Sequence, residues 1–297
     1  MKLLKFIVFC FRNGSLLNPP FDFAEERRKT LSELSDRHVE SKAEQPRAGK
    51  KLASWILKHP VGYNLLANLS YVRKSRRMNS MFFVSDDRKL VYVRILKTAS
   101  TSILKEFLPL LDSQLKNILL SDEKIDALAF RFVKKRLTRQ TQHYKKFALI
   151  RDPFQRLVSV YHDLFDPTSD HFSYQSYCFG ILHPNLTFQQ FVRMLDIIPD
   201  FLKGPHFASQ YYILSQTAGI EDIIWFRLEK DKPAFEDFIA NYGMTFIQRN
   251  KQQKSYDFKD FYDTETINRV YHLYKQDITY FDYREEYDQL CKYVKQN

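Results

Sequence analysis

Arg94-Ile95-Leu96-Lys97-Thr98-Ala99-Ser100-Thr101-Ser102 decides the fold. The apolar run Leu90 to Leu96 enters it with the β-branched and aromatic character of a buried strand. Ile103, Leu104, Phe107, Leu108 and Leu111 leave it at helical spacing. A turn between such a strand and such a helix points free backbone N–H groups above the sheet, and the helix dipole favours negative charge there. Lys97 adds a point charge and the hydroxyls add donors. The stretch therefore reads as a cradle for a phosphate-like anion.

The glycine-rich signature of ATP and GTP loops is absent, and no glycine occurs between Gly62 and Gly180. The expected anion is thus something other than a magnesium-bound triphosphate. A polar turn with a solvated lysine is the plain alternative.

A second junction follows at Phe147-Ala148-Leu149-Ile150-Arg151-Asp152-Pro153-Phe154-Gln155-Arg156-Leu157-Val158-Ser159-Val160-Tyr161. Phe147 to Ile150 reads as a short buried strand. Asp152 suits a helix N-cap and Pro153 the first helical position. Arg151 falls at the carboxyl end of the strand, where parallel sheets bind ligands. Ser159 lies two turns into the helix and can share that crevice. An arginine fork with a hydroxyl suits a terminal phosphate.

Lys-Thr-Ala-Ser-Thr-Ser followed by Arg-Asp-Pro-x-x-Arg-x-x-Ser-x-Tyr resembles the two cofactor motifs of carbohydrate sulfotransferases, including the chondroitin/dermatan and heparan 2-O groups. These enzymes use 3′-phosphoadenosine 5′-phosphosulfate (PAPS). The resemblance runs from about Val91 to Tyr283. It implies an α/β fold, a P-loop-NTPase-like parallel sheet flanked by helices, forming one sulfotransferase domain over residues 81–297 beside a peripheral region, 1–80. It also implies that Lys97, Thr98, Ala99, Ser100, Thr101 and Ser102 hold the 5′-phosphosulfate, and that Arg151 and Ser159 hold the 3′-phosphate. Lys97 would in addition stabilise charge on the departing oxygen. Lys254 or Ser255 falls where the family places a loop over the cofactor.

Gly204-Pro205-His206-Phe207-Ala208-Ser209-Gln210 resembles the family's Pro-His-aromatic-x-x-Gln segment, with Ser209 in place of the usual proline. A histidine of near-neutral pKa can take a proton from an acceptor hydroxyl. His206 is the first candidate for general base, against a structural or substrate-positioning role. His143, His162 and His183 are weaker candidates. Ile223 to Leu228 reads as a further strand, Lys232 to Tyr242 as a helix closed by Gly243, and Thr264 to Ile278 as one continuous helix.

The formal charge of +11 calls for an anionic partner without naming it. Arg131, Lys134, Lys135, Arg136 and Arg139 form a basic stretch, read as part of a helix that either faces solvent or grips an acidic acceptor. Under the family reading the partner is a carbohydrate, acidic polysaccharide included, and nucleic acid is not a partner. No metal is required, and no ligand cluster stands out. Cys10, Cys178 and Cys291 are scattered, which fits a reducing, cytoplasmic setting. No apolar run reaches the ~20 residues of a membrane span, although Leu3 to Phe11 leaves a weak membrane-surface contact open. Two other classes remain: a P-loop-like kinase or nucleotide hydrolase, and a non-catalytic binder of acidic glycan or nucleic acid.

Overall fold

A computed structural model describes residues 81–116, 121–165, 182, 186–216, 219–246 and 257–296. The peripheral region expected over residues 1–80 lies outside them. The chain divides into two compact units, residues 1–76 with 161–203, and residues 77–160 with 204–297.

The second unit carries the sheet. Strand β1 (Phe82–Ser85) turns through residues 86–89 into β2 (Leu90–Val93), and the two pair antiparallel with Phe82 opposite Val93. Helix α1 (Ser100–Phe107) and α2 (Asp122–Phe132) precede β3 (Lys145–Ile150), which pairs parallel with β2. Helix α3 (Pro153–Phe165) follows directly, and α4 (Phe188–Ile197) and α5 (Gln210–Ser215) come before β4 (Ile223–Arg227). The last strand pairs parallel with β3, so the spatial order is β1-β2-β3-β4. Helices α6 (Lys232–Ala240), α7 (Thr264–Leu273), α8 (Lys275–Tyr280) and α9 (Arg284–Gln296) complete the described chain. The sheet is therefore mixed: parallel at its centre, with the β1–β2 hairpin adding an antiparallel edge.

Alternation along the strands sends side chains to both faces. Leu90, Tyr92, Phe147, Leu149 and Phe226 share one face and pack on Ile103, Leu104 and Phe107 of α1, Ile125 and Ala129 of α2, and Phe235 and Ile239 of α6. Aromatic rings run across the strands there, with Tyr92 5.2 Å from Phe147 and 6.1 Å from Phe83. Val91, Val93, Ala148 and Ile150 on the opposite face are also buried. Trp225, on that second face of β4, meets the ring of Phe281 at 5.2 Å. Burial on both faces explains why these strands read as near-continuous apolar runs.

Two expectations need correction. The basic stretch does not stay helical: α2 ends at Phe132, and the Lys134 backbone N–H donates to the Phe82 carbonyl, forming a bridge with β1. The helix expected over Thr264 to Ile278 breaks at Tyr274, whose φ of −116° and ψ of 27° leave the helical region. Tyr274 is buried there, and its hydroxyl donates to the Phe207 carbonyl at 2.8 Å, a long-range bond that local spacing does not encode.

In the other unit, Thr187 caps α4. Its hydroxyl accepts the Gln190 N–H while the Gln190 side chain accepts the Thr187 N–H, a reciprocal capping box. Tyr161 donates to the Leu186 carbonyl at 2.8 Å and packs edge-on against Phe188.

Candidate functional site

At the carboxyl end of β2 the chain must turn sharply to enter α1. It does so with two non-glycine residues in the left-handed region, Lys97 at φ 68° and Ala99 at φ 57°. Such conformations cost energy for side chains with a Cβ and persist only where neighbours hold them. Here the Thr98 hydroxyl donates to the Ile95 carbonyl at 2.9 Å, and the Arg156 guanidinium donates to the Leu96 carbonyl at 3.0 Å. Ala99 occupies the N-cap of α1 and has no side-chain acceptor to offer, and the first turn holds no acidic residue. The start of α1 thus receives no cap from its N-cap side chain, which suits an external anion.

The loop hydroxyls do more internal work than the sequence suggested. Thr98 is buried with its hydroxyl turned to Ile95. Ser100 Oγ accepts from Arg94 Nε at 3.3 Å, and Thr101 Oγ1 donates to Asp126 Oδ1 at 3.4 Å. Arg94 also pairs with that carboxylate at 2.6 Å. Arg94 and Asp126, neither of them foreseen, tie the start of α1 to α2. Their signal was faint: an arginine at the end of an apolar strand, where it can remain buried only with a partner.

At the second junction Asp152 caps α3, its Oδ1 accepting the Phe154 N–H at 2.9 Å. The Arg151 backbone is gripped on both sides by the Gln210 amide. Oε1 accepts the Arg151 N–H at 2.9 Å, and Nε2 donates to the Arg151 carbonyl at 2.7 Å. From this fixed base Arg151 Nη1 donates to the Lys97 carbonyl at 3.3 Å. Its Nε makes no hydrogen bond and lies 3.8 Å from Glu229 Oε1. Glu229 Oε1 also accepts the Asp152 N–H, and Oε2 accepts from the Tyr283 hydroxyl.

Burial, reinforced by the Glu229 charge, pushes the Asp152 carboxyl up to about 7 from an ordinary 3.8. The folded state then keeps a proton that the unfolded chain releases above about pH 4, so this group takes stability away as pH rises toward 7. Asp152→Asn keeps an acceptor for the Phe154 N–H and removes the charge. Its urea midpoint is expected to change less between pH 5 and 8 than that of the parent. Burial shifts Glu229 in the same direction, so the slope shrinks without vanishing. An unchanged slope in the variant would contradict this account.

His206 sits half-buried in a turn in which the Phe207 and Ala208 N–H groups both donate to the Gly204 carbonyl. Arg156 ties that turn to the first loop. Besides Leu96, its guanidinium donates to the Pro205 carbonyl at 3.1 Å and the Ala208 carbonyl at 3.0 Å. Asp277 of α8 holds the next residues, accepting from Ser209 Oγ at 2.8 Å, Gln210 N–H at 2.9 Å and Tyr211 N–H at 2.7 Å. Burial raises the Asp277 carboxyl pKa, and these three donors with Arg156 pull it back.

The fold thus brings Lys97 and Arg151 together, though they lie 54 residues apart in sequence, and Arg156 ties the His206 turn to the same loop. Ser159 is half-buried on α3, and no described hydrogen bond joins it to Arg151. His143 is exposed, its ring beside the Gln142 side chain. His162 belongs to the other unit. Lys254, Ser255 and His183 lie outside the described residues. Among the described residues no group of three His, Cys, Asp or Glu side chains is placed to hold a metal ion. No described helix is long and apolar enough to cross a membrane. What the two junctions offer is a helix start whose N-cap residue makes no side-chain cap and, beside it, the Arg151 guanidinium, donors of the kind that suit an anion.

No curated protein and no solved structure matches the chain. A family model described as the sulfotransferase family matches residues 80–284, more than half of the 297 residues, and spans both junctions and the His206 turn. The chain belongs to the sulfotransferase family, whose members include carbohydrate sulfotransferases.

Proposed function

We propose that this transferase moves the sulfuryl group of PAPS to a hydroxyl of a carbohydrate acceptor. The observation that carries the proposal is the 3.3 Å bond from Arg151 Nη1 to the Lys97 carbonyl, which sets the two anion-binding junctions side by side. When bound, PAPS supplies an activated sulfuryl group at its 5′ end. The Ser100, Thr101 and Ser102 N–H groups and the Lys97 ammonium bind that end. They also place positive potential where the leaving phosphate oxygen gathers charge. Arg151 and Ser159 orient the 3′-phosphate, and Lys254 contributes a further contact to the nucleotide, as the family likeness implies. His206 accepts a proton from the acceptor hydroxyl at a ring nitrogen. Much of the acceleration comes from holding the acceptor in line, as in phosphoryl transfer.

Incubation with radiolabelled PAPS and a panel of glycans, acidic polysaccharides included, tests this directly. Label is expected to enter a glycan. His206→Ala is expected to lower kcat about 100-fold, the low end of general-base contributions. Full activity in that variant removes His206 from the chemistry. Magnesium-dependent ATP turnover with no label transfer would favour the kinase or hydrolase class instead.

A further inference from the structure

Strand β3 stops at Ile150, where its last backbone bond to the next strand is the Leu228 N–H donating to the Ile150 carbonyl. Arg151, one residue on, lies beyond the strand pairing, yet its main chain is fixed. Gln210, fully buried at the start of α5, supplies both an acceptor and a donor to Arg151, as one residue of a neighbouring strand would. The Gln210 backbone is itself anchored through its N–H to Asp277. Asp277 in turn holds Ser209, whose hydroxyl caps α5 by accepting the Tyr212 N–H at 3.1 Å. The same segment is bound to the Lys97 loop through Arg156.

We infer that Gln210 is a positioning residue for the Arg151 anion site, setting the main chain from which the guanidinium reaches both Lys97 and the ligand. This inference rests on the proposed use of Arg151 for the 3′-phosphate. The chemistry required is specific to a primary amide on a side chain of this length. Alanine leaves the partly buried N–H and carbonyl of Arg151 without the partners that Gln210 supplies. An ionised carboxylate keeps the acceptor but turns a second oxygen toward the Arg151 carbonyl, where the donor had been.

The test compares two ligands that differ only at the end Arg151 is expected to hold. PAPS and adenosine 5′-phosphosulfate share the 5′-phosphosulfate, but only PAPS carries a 3′-phosphate. In Gln210→Ala, affinity for PAPS is expected to fall about tenfold, the order expected for one lost buried contact. Affinity for adenosine 5′-phosphosulfate should change less than about twofold. Equal losses for both ligands, or no loss for either, overturn the inference. Gln210→Glu supplies a second reading should the alanine variant not fold. Its introduced carboxyl regains a donor when protonated, so the preference for PAPS over adenosine 5′-phosphosulfate should recover between pH 8 and pH 5, relative to the parent. A preference that does not respond to pH in this variant also overturns it. Failure of the parent protein to prefer PAPS at all would sink the proposed function itself, which is a distinct result.

Discussion

Replacing Arg151 with alanine is expected to weaken binding of 3′-phosphoadenosine 5′-phosphate, the desulfated product, about 100-fold or more. Truncating one partner of a desolvated, hydrogen-bonded charge pair typically costs about 2–5 kcal/mol, and each 1.4 kcal/mol is tenfold in affinity. The guanidinium is mostly buried, its side chain 13% exposed, so water screens it little. Its Nε–H makes no hydrogen bond and can donate one to a phosphate oxygen. Arg151→Lys keeps the charge but loses the planar fork, so an intermediate loss is expected. The effect on folding should be smaller than the effect on binding. The side chain makes one hydrogen bond to Lys97 and one loose ion pair with Glu229. Calorimetric titration alongside thermal melts separates the two. A variant that melts normally and binds like the parent would remove Arg151 from the site.

Arg156 predicts the opposite pattern, a large loss of stability. It is buried, 2% exposed, and its guanidinium is spread over the carbonyls of Leu96, Pro205 and Ala208. Burial lowers its pKa, yet an arginine stays charged in any folded protein. Arg156→Met fills similar space without donors and leaves three carbonyls to find other partners. Each buried orphan costs about 1–3 kcal/mol, partly offset by no longer burying a charge. A net loss of about 3–5 kcal/mol is a large share of an ordinary domain's ~5–15 kcal/mol. At about 2–4 °C per kcal/mol, the melting midpoint should fall by roughly 10 °C. Arg156→Lys should recover little, because one compact ammonium cannot reproduce a fork held on three sides. A midpoint unchanged in Arg156→Met would show that the three carbonyls are satisfied without it.

The contrast between these two arginines shows how far the sequence could be read. Both stand in one motif, five residues apart, and both are cationic. The strand, the Asp152–Pro153 cap and the helix are local features with local signals, so the junction itself was legible. So was the cradle before α1, because an apolar strand and an apolar helical pattern flank it. The direction in which Arg156 points was not legible. Its partners Pro205 and Ala208 lie 49 and 52 residues away, and no periodicity links a guanidinium to distant carbonyls. The bond from Gln210 to Arg151 was hidden for the same reason, spanning 59 residues, although Gln210 itself stood in a recognisable segment. The hydroxyls of Thr98, Ser100 and Thr101 show the reverse limit. Their residue types pointed outward to a ligand, whereas the fold engages each of them internally. The break at Tyr274 follows the same rule, since a buried hydroxyl reaching Phe207 outweighs a helical pattern.

At the centre of the account is one nucleotide held at both ends by two adjacent strand-to-helix junctions. Calorimetric titration of the unmodified protein with 3′-phosphoadenosine 5′-phosphate tests it most directly, run beside adenosine 5′-phosphate and adenosine 3′-phosphate. The bisphosphate is expected to fill one site per chain, with affinity more than about tenfold above that of either monophosphate, each of which lacks one charged contact. Equal affinity for all three, or no heat with the bisphosphate, would contradict it.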